Sequence, residues 1–387
     1  MKLTRLSAVI HAGFVLTGMV TTLLGPVLPA LVSRWSLDDP HAGYFFTAEF
    51  LGSSVGVVLS SLIVPRFGFT HSLALSYVLV GLGVGSMGVG PWALGLAAAA
   101  TYGFGLGIII PATNLWVSQT SGPARAAALN VVNLAWGIGA VSLPAVVAIA
   151  VRDNLLRSLF LMIAGASLIV AITLFAVARD EAIRPSPCID VDAPALWGIR
   201  VFLAILFYLY VGAENAVAGW VAMYTDRLHV AAGTLWAATP SIFWGALLIG
   251  RGLAVPVLRR ISEARLLSSG LLMAAFGVIA LIGANSMASV VIGIGAAGLG
   301  LSSVFPLLVA KISHSFGEAG PCIAGPIFAF GGLGGATVPW LVGIASQHGG
   351  GLRTGLAVPL AAVLLMGLVL SIATRMQRNG APSAARP

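Results

Sequence analysis

Apolar runs of roughly 20 residues recur twelve times along this chain, separated by short segments that hold most of its charged side chains. A run of that length crosses a hydrocarbon core of about 30 Å as an α-helix. The pattern therefore predicts an all-α membrane protein with twelve transmembrane helices. The predicted spans are residues 7–32, 42–64, 71–89, 92–117, 126–150, 158–178, 198–223, 233–257, 265–284, 286–309, 319–346 and 353–375.

Composition supports this prediction and excludes other classes. Of the 387 residues, 58% are hydrophobic and 8% are charged, whereas a soluble domain has about 25% charged residues. The alternating segments of about ten residues that are typical of a membrane barrel do not occur. The net charge of +8 is spread over short loops rather than gathered in one patch, which argues against a nucleic-acid partner.

The distribution of basic residues predicts the orientation in the membrane. With the N-terminus inside, fifteen of the 20 Lys and Arg residues fall on the cytoplasmic side. The five on the other side are Arg34, Arg152, Arg157, Arg227 and Arg353. Because basic residues accumulate on the cytoplasmic face, both termini are expected in the cytoplasm, with the chain in the cell (inner) membrane. The two cysteines, Cys188 and Cys322, indicate no disulfide framework or metal site, and we expect no cofactor.

The second half of the chain repeats features of the first. Gly18 and Gly25 correspond to Gly212 and Gly219 at an offset of 194 residues. The Gly-x-Gly pairs at 105–107 and 137–139 correspond to those at 298–300 and 332–334, at offsets of 193 and 195. Since six spans separate equivalent helices, the halves have the same orientation, which makes them parallel repeats. We predict six-helix bundles at 1–178 and 198–387, joined by a cytoplasmic linker at 179–197.

Two carboxylates fall inside predicted spans, Glu49 in the second and Glu214 in the seventh. An ionisable residue at bilayer depth is costly and usually faces a protein interior or a cavity. Removal from water favours the neutral form of a carboxyl group, so that either glutamate is a candidate for proton exchange. For Glu49, a solvated carboxylate near the membrane interface is the alternative interpretation.

Carboxamides and aromatic side chains supply candidate binding groups. A carboxamide offers two donor and two acceptor positions, which suits a hydroxyl-rich ligand, and an indole offers an apolar face for a sugar ring. For Asn130 and Asn133, hydrogen bonding between packed helices is an equally good interpretation. The candidate substrate-binding residues are Tyr44, Asn114, Asn130, Asn133, Trp136, Tyr210, Asn215, Trp220 and Trp244.

Missing features narrow the function further. No Lys or Arg falls in the middle of a predicted span, and a buried anion without a cation is costly, so a neutral substrate is favoured. The phosphate-binding pattern Gly-x-x-x-x-Gly-Lys-Ser/Thr is absent, which points to an ion gradient rather than ATP as the energy source. The six histidines are scattered, mostly near span ends, and no enzyme activity is expected.

Several motifs resemble a known family. Residues 210–214 read Tyr-Val-Gly-Ala-Glu and are followed by Gly219 and Trp220. With Asn114, the Gly-x-Gly pairs at 105–107 and 137–139 and Leu129-Asn130, they resemble the fucose–galactose–glucose:proton symporter branch of the major facilitator superfamily. After the second span, Arg66 and Gly68 match the superfamily signature Gly-x-x-x-Asp-Arg-x-Gly, while Ser61 and Pro65 replace its glycine and aspartate.

The resemblance implies the major facilitator fold, with two parallel six-helix repeats and alternating access. It implies proton-coupled uptake of a monosaccharide. Together with the preference for a neutral substrate, this predicts a carrier of a neutral monosaccharide, which we expect to be a monomer in the lipid bilayer. The fucose permease type uses an aspartate in its first helix and a glutamate in its fourth, where this chain has Gly25 and approximately Ile110. Coupling is therefore left to Glu49 and Glu214, and the sequence does not decide between them.

Two other functions stay open. One is a proton-linked exporter of lipophilic cations or drugs, although the spacing from Gly137 to Pro144 differs from the signature usual in such antiporters. The other is a sodium-coupled sugar carrier. The identity of the sugar and the stoichiometry are not determined by the sequence.

Overall fold

The computed structural model describes residues 2–177, 197–317 and 320–380, so that the predicted linker lies outside the described residues except for Trp197. These residues form fifteen α-helices, connected by loops and short 3₁₀ turns. The helices are α1 Lys2–Thr21, α2 Leu24–Trp35, α3 Asp39–Phe67, α4 Phe69–Ser86, α5 Trp92–Thr120, α6 Arg125–Arg152, α7 Leu156–Val177, α8 Trp197–Leu228, α9 Thr239–Leu258, α10 Glu263–Ile282, α11 Met287–Leu301, α12 Val304–Phe316, α13 Gly320–His348, α14 Leu352–Gly355 and α15 Ala357–Gly380.

Twelve of the described segments are long and apolar enough to cross a membrane, which confirms the predicted all-α architecture. Eleven pass as continuous spans, and α1 with α2 forms the twelfth, bent by 46°. The break in this first span lies at Thr22 and Leu23, four residues before Pro26. Because proline has no N–H, it cannot donate to the carbonyl of residue 22, and the helix bends there.

A close helix crossing joins α3 to α5 through glycines spaced four residues apart. Gly52 and Gly56 on α3 lie against the backbone of α5, and Gly103 and Gly107 on α5 lie against the backbone of α3. A Cβ atom on Gly103 would overlap the main chain at Glu49. Small residues at this spacing allow close backbone approach in a bilayer, and here they fix the helix that carries Glu49.

We expect Gly103→Leu to destabilise the protein by about 1–3 kcal/mol, because the added side chain has no space at the crossing. Gly165→Leu on α7 is the matched control, since a Cβ there meets nothing within 4 Å. Thermal unfolding of both purified variants measures the effect. Equal melting temperatures for the two variants would contradict the proposed role of the crossing.

The two halves, α1–α7 and α8–α15, meet mainly through α3 with α13, α2 with α8 and α6 with α9. We call the membrane face where α3 ends and α9 ends the arginine-rich face, since Arg66, Arg259 and Arg260 lie there, and the other face the opposite face. Thr47 Oγ1 donates to the carbonyl of Ala336 at 2.8 Å, and Ser54 Oγ donates to that of Ala329 at 3.3 Å.

An ion pair joins the halves at the opposite face. Asp39, the first residue of α3, accepts two hydrogen bonds from the guanidinium of Arg227 near the end of α8, at 2.5 and 2.9 Å. Ser346 of α13 donates a third, at 2.5 Å. The side chain of Asp39 is only 10% exposed. These contacts, which we call the Asp39 latch, close the opposite face by linking one helix of the first half to two of the second.

Candidate functional site

A small cavity lies where the two halves meet in the middle of the bundle. Its lining includes Thr21 and Glu49 from the first half and Asn215, Gly219 and Trp244 from the second. The cavity volume is about 20 Å³, enough for about one water molecule. In this conformation the two halves are therefore in close contact around Glu49. A sugar can occupy the cavity only after the halves separate.

Glu49 is buried at this interface without a cationic partner. Its residue exposure is 4%, and the buried hydroxyl of Tyr102 on α5, which makes no hydrogen bond to any described residue, lies near its carboxyl group. Among the side chains that the structure describes, no Lys or Arg nitrogen lies within 4.0 Å of that carboxyl group. The alternative of a solvated carboxylate near the membrane interface does not fit this position, because the side chain is enclosed by α3, α5 and the second half.

Glu214 has a different environment. It is buried on α8 and accepts a short hydrogen bond from the hydroxyl of Tyr210, one helical turn earlier. An Nη2 nitrogen of Arg251, from α9, lies 4.0 Å from its Oε1 atom. The Tyr210 hydroxyl also interacts with that guanidinium. The charge of Glu214 on α8 is therefore balanced by Arg251 on α9, a helix of the same half. Glu49 has no such cation among the described side chains.

Arg251 corrects one premise of the sequence analysis. The sequence analysis placed it on the cytoplasmic side, in the last turns of the predicted span 233–257, and found no Lys or Arg in the middle of any span. In the structure it lies seven residues before the end of α9, and its side chain is 25% exposed. Its guanidinium packs over the rings of Trp136 and Phe305, at 6.0 and 5.9 Å from the ring centroids. Both aromatic contacts and the ion pair turn the side chain inward, away from the membrane interface.

Two tryptophans from different halves face each other beside this arginine. Trp136 of α6 and Trp244 of α9 form an edge-to-face pair with ring centroids 5.6 Å apart. The indole Nε1 of Trp136 donates to Thr21 Oγ1 at 3.4 Å. The indole of Trp136 thus touches the first helix, the second half and Arg251. Such rings supply apolar surface and a single polar tip each.

Carboxamides extend the site toward the arginine-rich face. Asn133 Nδ2 donates to Asn114 Oδ1 at 3.1 Å, which joins α6 to α5. Both side chains also donate to carbonyls of their own helices. Asn130 is also exposed and lies about one turn closer to the start of α6. Asn215 donates to the carbonyl of Val211 at 2.9 Å and lines the central cavity.

Two of the predicted binding residues are not brought to this site. Tyr44 lies near the opposite face, in an aromatic cluster with His41, Trp92 and Trp340 at centroid distances of 5.2–6.1 Å. Trp220 is fully buried, and its Nε1 donates to the carbonyl of Pro339 at 2.8 Å. This hydrogen bond packs α8 against α13, so that Trp220 stabilises the second half rather than facing the cavity.

The site therefore gathers Glu49, Glu214, Tyr210, Asn215, Trp136 and Trp244, with Asn114, Asn130 and Asn133 beside them and Thr21 and Arg251 added.

A family model described as Major Facilitator Superfamily matches residues 10–339. The chain belongs to the Major Facilitator Superfamily. Proteins of this superfamily are transporters rather than enzymes, which agrees with the sequence prediction.

Curated relatives in this superfamily are distant. An uncharacterized MFS-type transporter of Yersinia pestis is 22% identical over 370 residues, which cover 94% of this chain and 93% of that protein. Major facilitator superfamily domain-containing protein 4A of Xenopus tropicalis is 26% identical over 206 residues, or 51% of this chain. The match spans only 40% of the Xenopus protein's length.

Solved structures share the fold of this superfamily member. The crystal structure of a D-xylose–proton symporter has a TM-score of 0.77 at 15% identity and covers 96% of this chain and 97% of that one. A bacterial homologue of the human lysosomal transporter Spinster, inward-facing and occupied, has a TM-score of 0.77 at 13% identity, with 96% of both chains covered. The fucose:proton symporter of E. coli has a TM-score of 0.63 at 15% identity, covering 95% and 98%. The twelve-span major facilitator fold is thereby confirmed.

Proposed function

We propose that this superfamily member transports a monosaccharide together with protons by alternating access. The observation that carries the proposal is the central site itself: a buried carboxyl group, two facing indoles and several carboxamides converge from both halves. Proteins that share the fold include symporters of D-xylose and fucose with protons. The fucose–galactose–glucose branch and the bundle boundaries at 1–178, 179–197 and 198–387 remain predictions.

Alternating access follows from where the halves touch. The Asp39 latch and the contact of Thr47 with Ala336 hold the halves together from the opposite face to the middle. Toward the arginine-rich face, Asn130 and Asn133 are exposed. With the arginine-rich face in the cytoplasm, as the basic residues predict, this conformation is closed to the outside. Rocking the halves about the site would open the latch and admit substrate from outside.

We assign the coupled proton to Glu49 rather than Glu214. An ionised carboxylate that is buried without a cation costs several kcal/mol, and protonation removes that cost. When the opposite face opens, water reaches Glu49 and the ionised form is stabilised. Closing that face around Glu49 then requires a proton, which ties proton entry to the conformational change. Glu214 has Tyr210 and Arg251 to stabilise its charge, so it does not face the same requirement.

The alternative of an exporter of lipophilic cations receives less support from this geometry. A drug cation would need a free buried carboxylate as its partner, but Arg251 already lies beside Glu214, and its positive charge would repel a second cation. A sodium-coupled sugar carrier differs in the ion alone and is distinguished by experiment.

Uptake by liposomes that contain the full-length protein tests the proposal. With the outside more acidic by about two units, we expect labelled D-xylose or L-fucose, or another monosaccharide of the same size, to accumulate above its equilibrium level. A 1:1 proton symporter can reach about 100-fold under this gradient, since each unit is worth about 1.4 kcal/mol. A protonophore should abolish the accumulation.

Three further arms make the result decisive. Protein-free liposomes control for leakage. Accumulation that follows a sodium gradient and ignores the pH gradient would replace the proton by sodium. Proton-driven movement of a cationic dye, with no movement of any monosaccharide, would favour the exporter and contradict the proposed function.

A further inference from the structure

In the sugar–proton scheme above, Arg251 balances the charge of Glu214 but has no role toward the substrate. It occupies a position where a cation is costly to bury, inside a span and between aromatic rings. Trp136 comes from the first half, while Phe305 and Glu214 come from the second. Arg251 therefore lies where the halves move relative to each other, beside the indole pair.

The hydrogen-bonding capacity of Arg251 is not used up by its neighbours. Its buried Nε makes no hydrogen bond to any described residue. The nearest carboxylate oxygen, Glu214 Oε1, is 4.0 Å from Nη2, too far for a hydrogen bond. That oxygen instead accepts the hydroxyl of Tyr210. Glu214 thus balances the charge of the guanidinium without satisfying its donors.

Two aromatic rings flank the guanidinium group of Arg251, and its N–H donors are the part left for a ligand. Trp136 and Phe305 lie within 6.0 Å of its carbon, in the range where rings attract the guanidinium group. A planar fork of N–H donors pairs best with a planar group that has two acceptor oxygens, namely a carboxylate. A sugar hydroxyl presents one oxygen and no charge, so it would use this group poorly.

We propose that the transported sugar carries a carboxylate and that Arg251 recognises it, so that the substrate class is acidic monosaccharides such as uronates and aldonates. This inference rests on the proposed function and refines it. The sequence analysis favoured a neutral substrate because no Lys or Arg falls in the middle of a predicted span, and the inward-turned side chain of Arg251 removes that reason. In the absence of substrate, Glu214 neutralises Arg251. When the sugar binds, its carboxylate takes the free donors while Trp136 and Trp244 flank the ring.

Binding of D-glucuronate and D-glucose to the purified full-length protein tests this inference, with thermal stabilisation titrated against each sugar. We expect the wild type to bind glucuronate more tightly than glucose. Arg251→Gln should weaken glucuronate binding roughly 30-fold or more, the usual effect of losing one partner of a buried charge-assisted contact. Arg259→Gln is the matched control, since that exposed arginine lies two turns further along the same chain, at the end of α9.

A second variant tests the inference by a gain in glucuronate affinity rather than a loss. Glu214→Gln removes the competing negative charge, and we expect it to tighten glucuronate binding and to leave glucose binding less affected. This variant keeps the test valid if Arg251→Gln does not fold. The inference would be overturned if the wild type bound glucose more tightly than glucuronate and neither substitution changed glucuronate binding. The proposed function would still stand in that case. If no monosaccharide, neutral or acidic, binds to the wild type, the proposed function falls and the inference falls with it.

Discussion

Glu49→Gln is expected to abolish proton-driven accumulation while leaving exchange of substrate across the membrane intact. Glutamine has nearly the shape of a protonated glutamate but cannot gain or lose a proton. The halves of the variant should therefore close around residue 49 without waiting for protonation. Under a gradient of about two pH units, the ratio of internal to external substrate should fall from as much as about 100 to about 1.

Two measurements on the same liposomes check this result. The accumulation ratio reports coupling, and counterflow, in which unlabelled internal substrate draws in labelled substrate, reports alternating access by itself. Glu214→Gln serves as the comparison, because its carboxylate is neutralised by Arg251 in the wild type. Loss of accumulation in Glu214→Gln with full accumulation in Glu49→Gln would reverse the assignment of the proton. Loss of counterflow in Glu49→Gln would indicate a role in binding or folding.

The architecture was predictable because the bilayer imposes it. A helix must supply about 20 apolar residues to cross the hydrocarbon core, so the length of each run gives the number of spans without knowledge of packing. The bend in the first span follows from the missing N–H of Pro26. The pairing of Tyr210 with Glu214 follows equally from local geometry, because residues four apart lie on the same side of a helix.

The position of Arg251 could not be predicted in the same way. An arginine seven residues from a helix end usually extends its long side chain to the interface, which is how the sequence analysis placed it. The structure turns it inward because Trp136, Phe305 and Glu214 surround it. Trp136 is 115 residues distant along the chain, and Phe305 is 54. Sequence spacing alone does not reveal such contacts.

Tyr44 and Trp220 lie outside the central site for a related reason. A large aromatic residue in a span can face either a cavity or a neighbouring helix, and helical spacing does not choose between them. Trp220 faces the carbonyl of Pro339, 119 residues later. Tyr44 packs against Trp340 at the opposite face. In both cases, the deciding partner is on α13, which the sequence analysis did not connect with either residue.

The sequence analysis did not predict the Asp39 latch. Breaking this latch is the second substitution for which we expect a large effect. Asp39→Asn is expected to shift the protein away from the conformation described here, toward one that is open at the opposite face. The substitution leaves Arg227 without its carboxylate partner at the contact of α3, α8 and α13. Hydrogen bonds to charged groups contribute about 1.5–3 kcal/mol each. A net loss of about 2 kcal/mol would change the ratio of open to closed protein roughly 30-fold.

Labelling of a cysteine buried behind the latch measures this shift. Phe46 lines the central cavity and is 3% exposed, so Phe46→Cys, in a background with Cys188→Ser and Cys322→Ser, should react slowly with a maleimide. Adding Asp39→Asn should accelerate the reaction by about the same factor of 30. Asp38→Asn is the matched control, because the neighbouring aspartate pairs with His41 at the exposed surface instead of joining the halves.

A double variant separates the latch from a general loss of stability. In Asp39→Asn with Arg227→Gln, neither charge is left unpaired, so the labelling rate should fall back toward that of the parent rather than rise further. Two independent destabilising changes would instead multiply their effects. Equal labelling rates in Asp38→Asn and Asp39→Asn would show that the ion pair does not hold the opposite face closed. In that event, closure would have to come from the packing of the halves, through α3 with α13, α2 with α8 and α6 with α9.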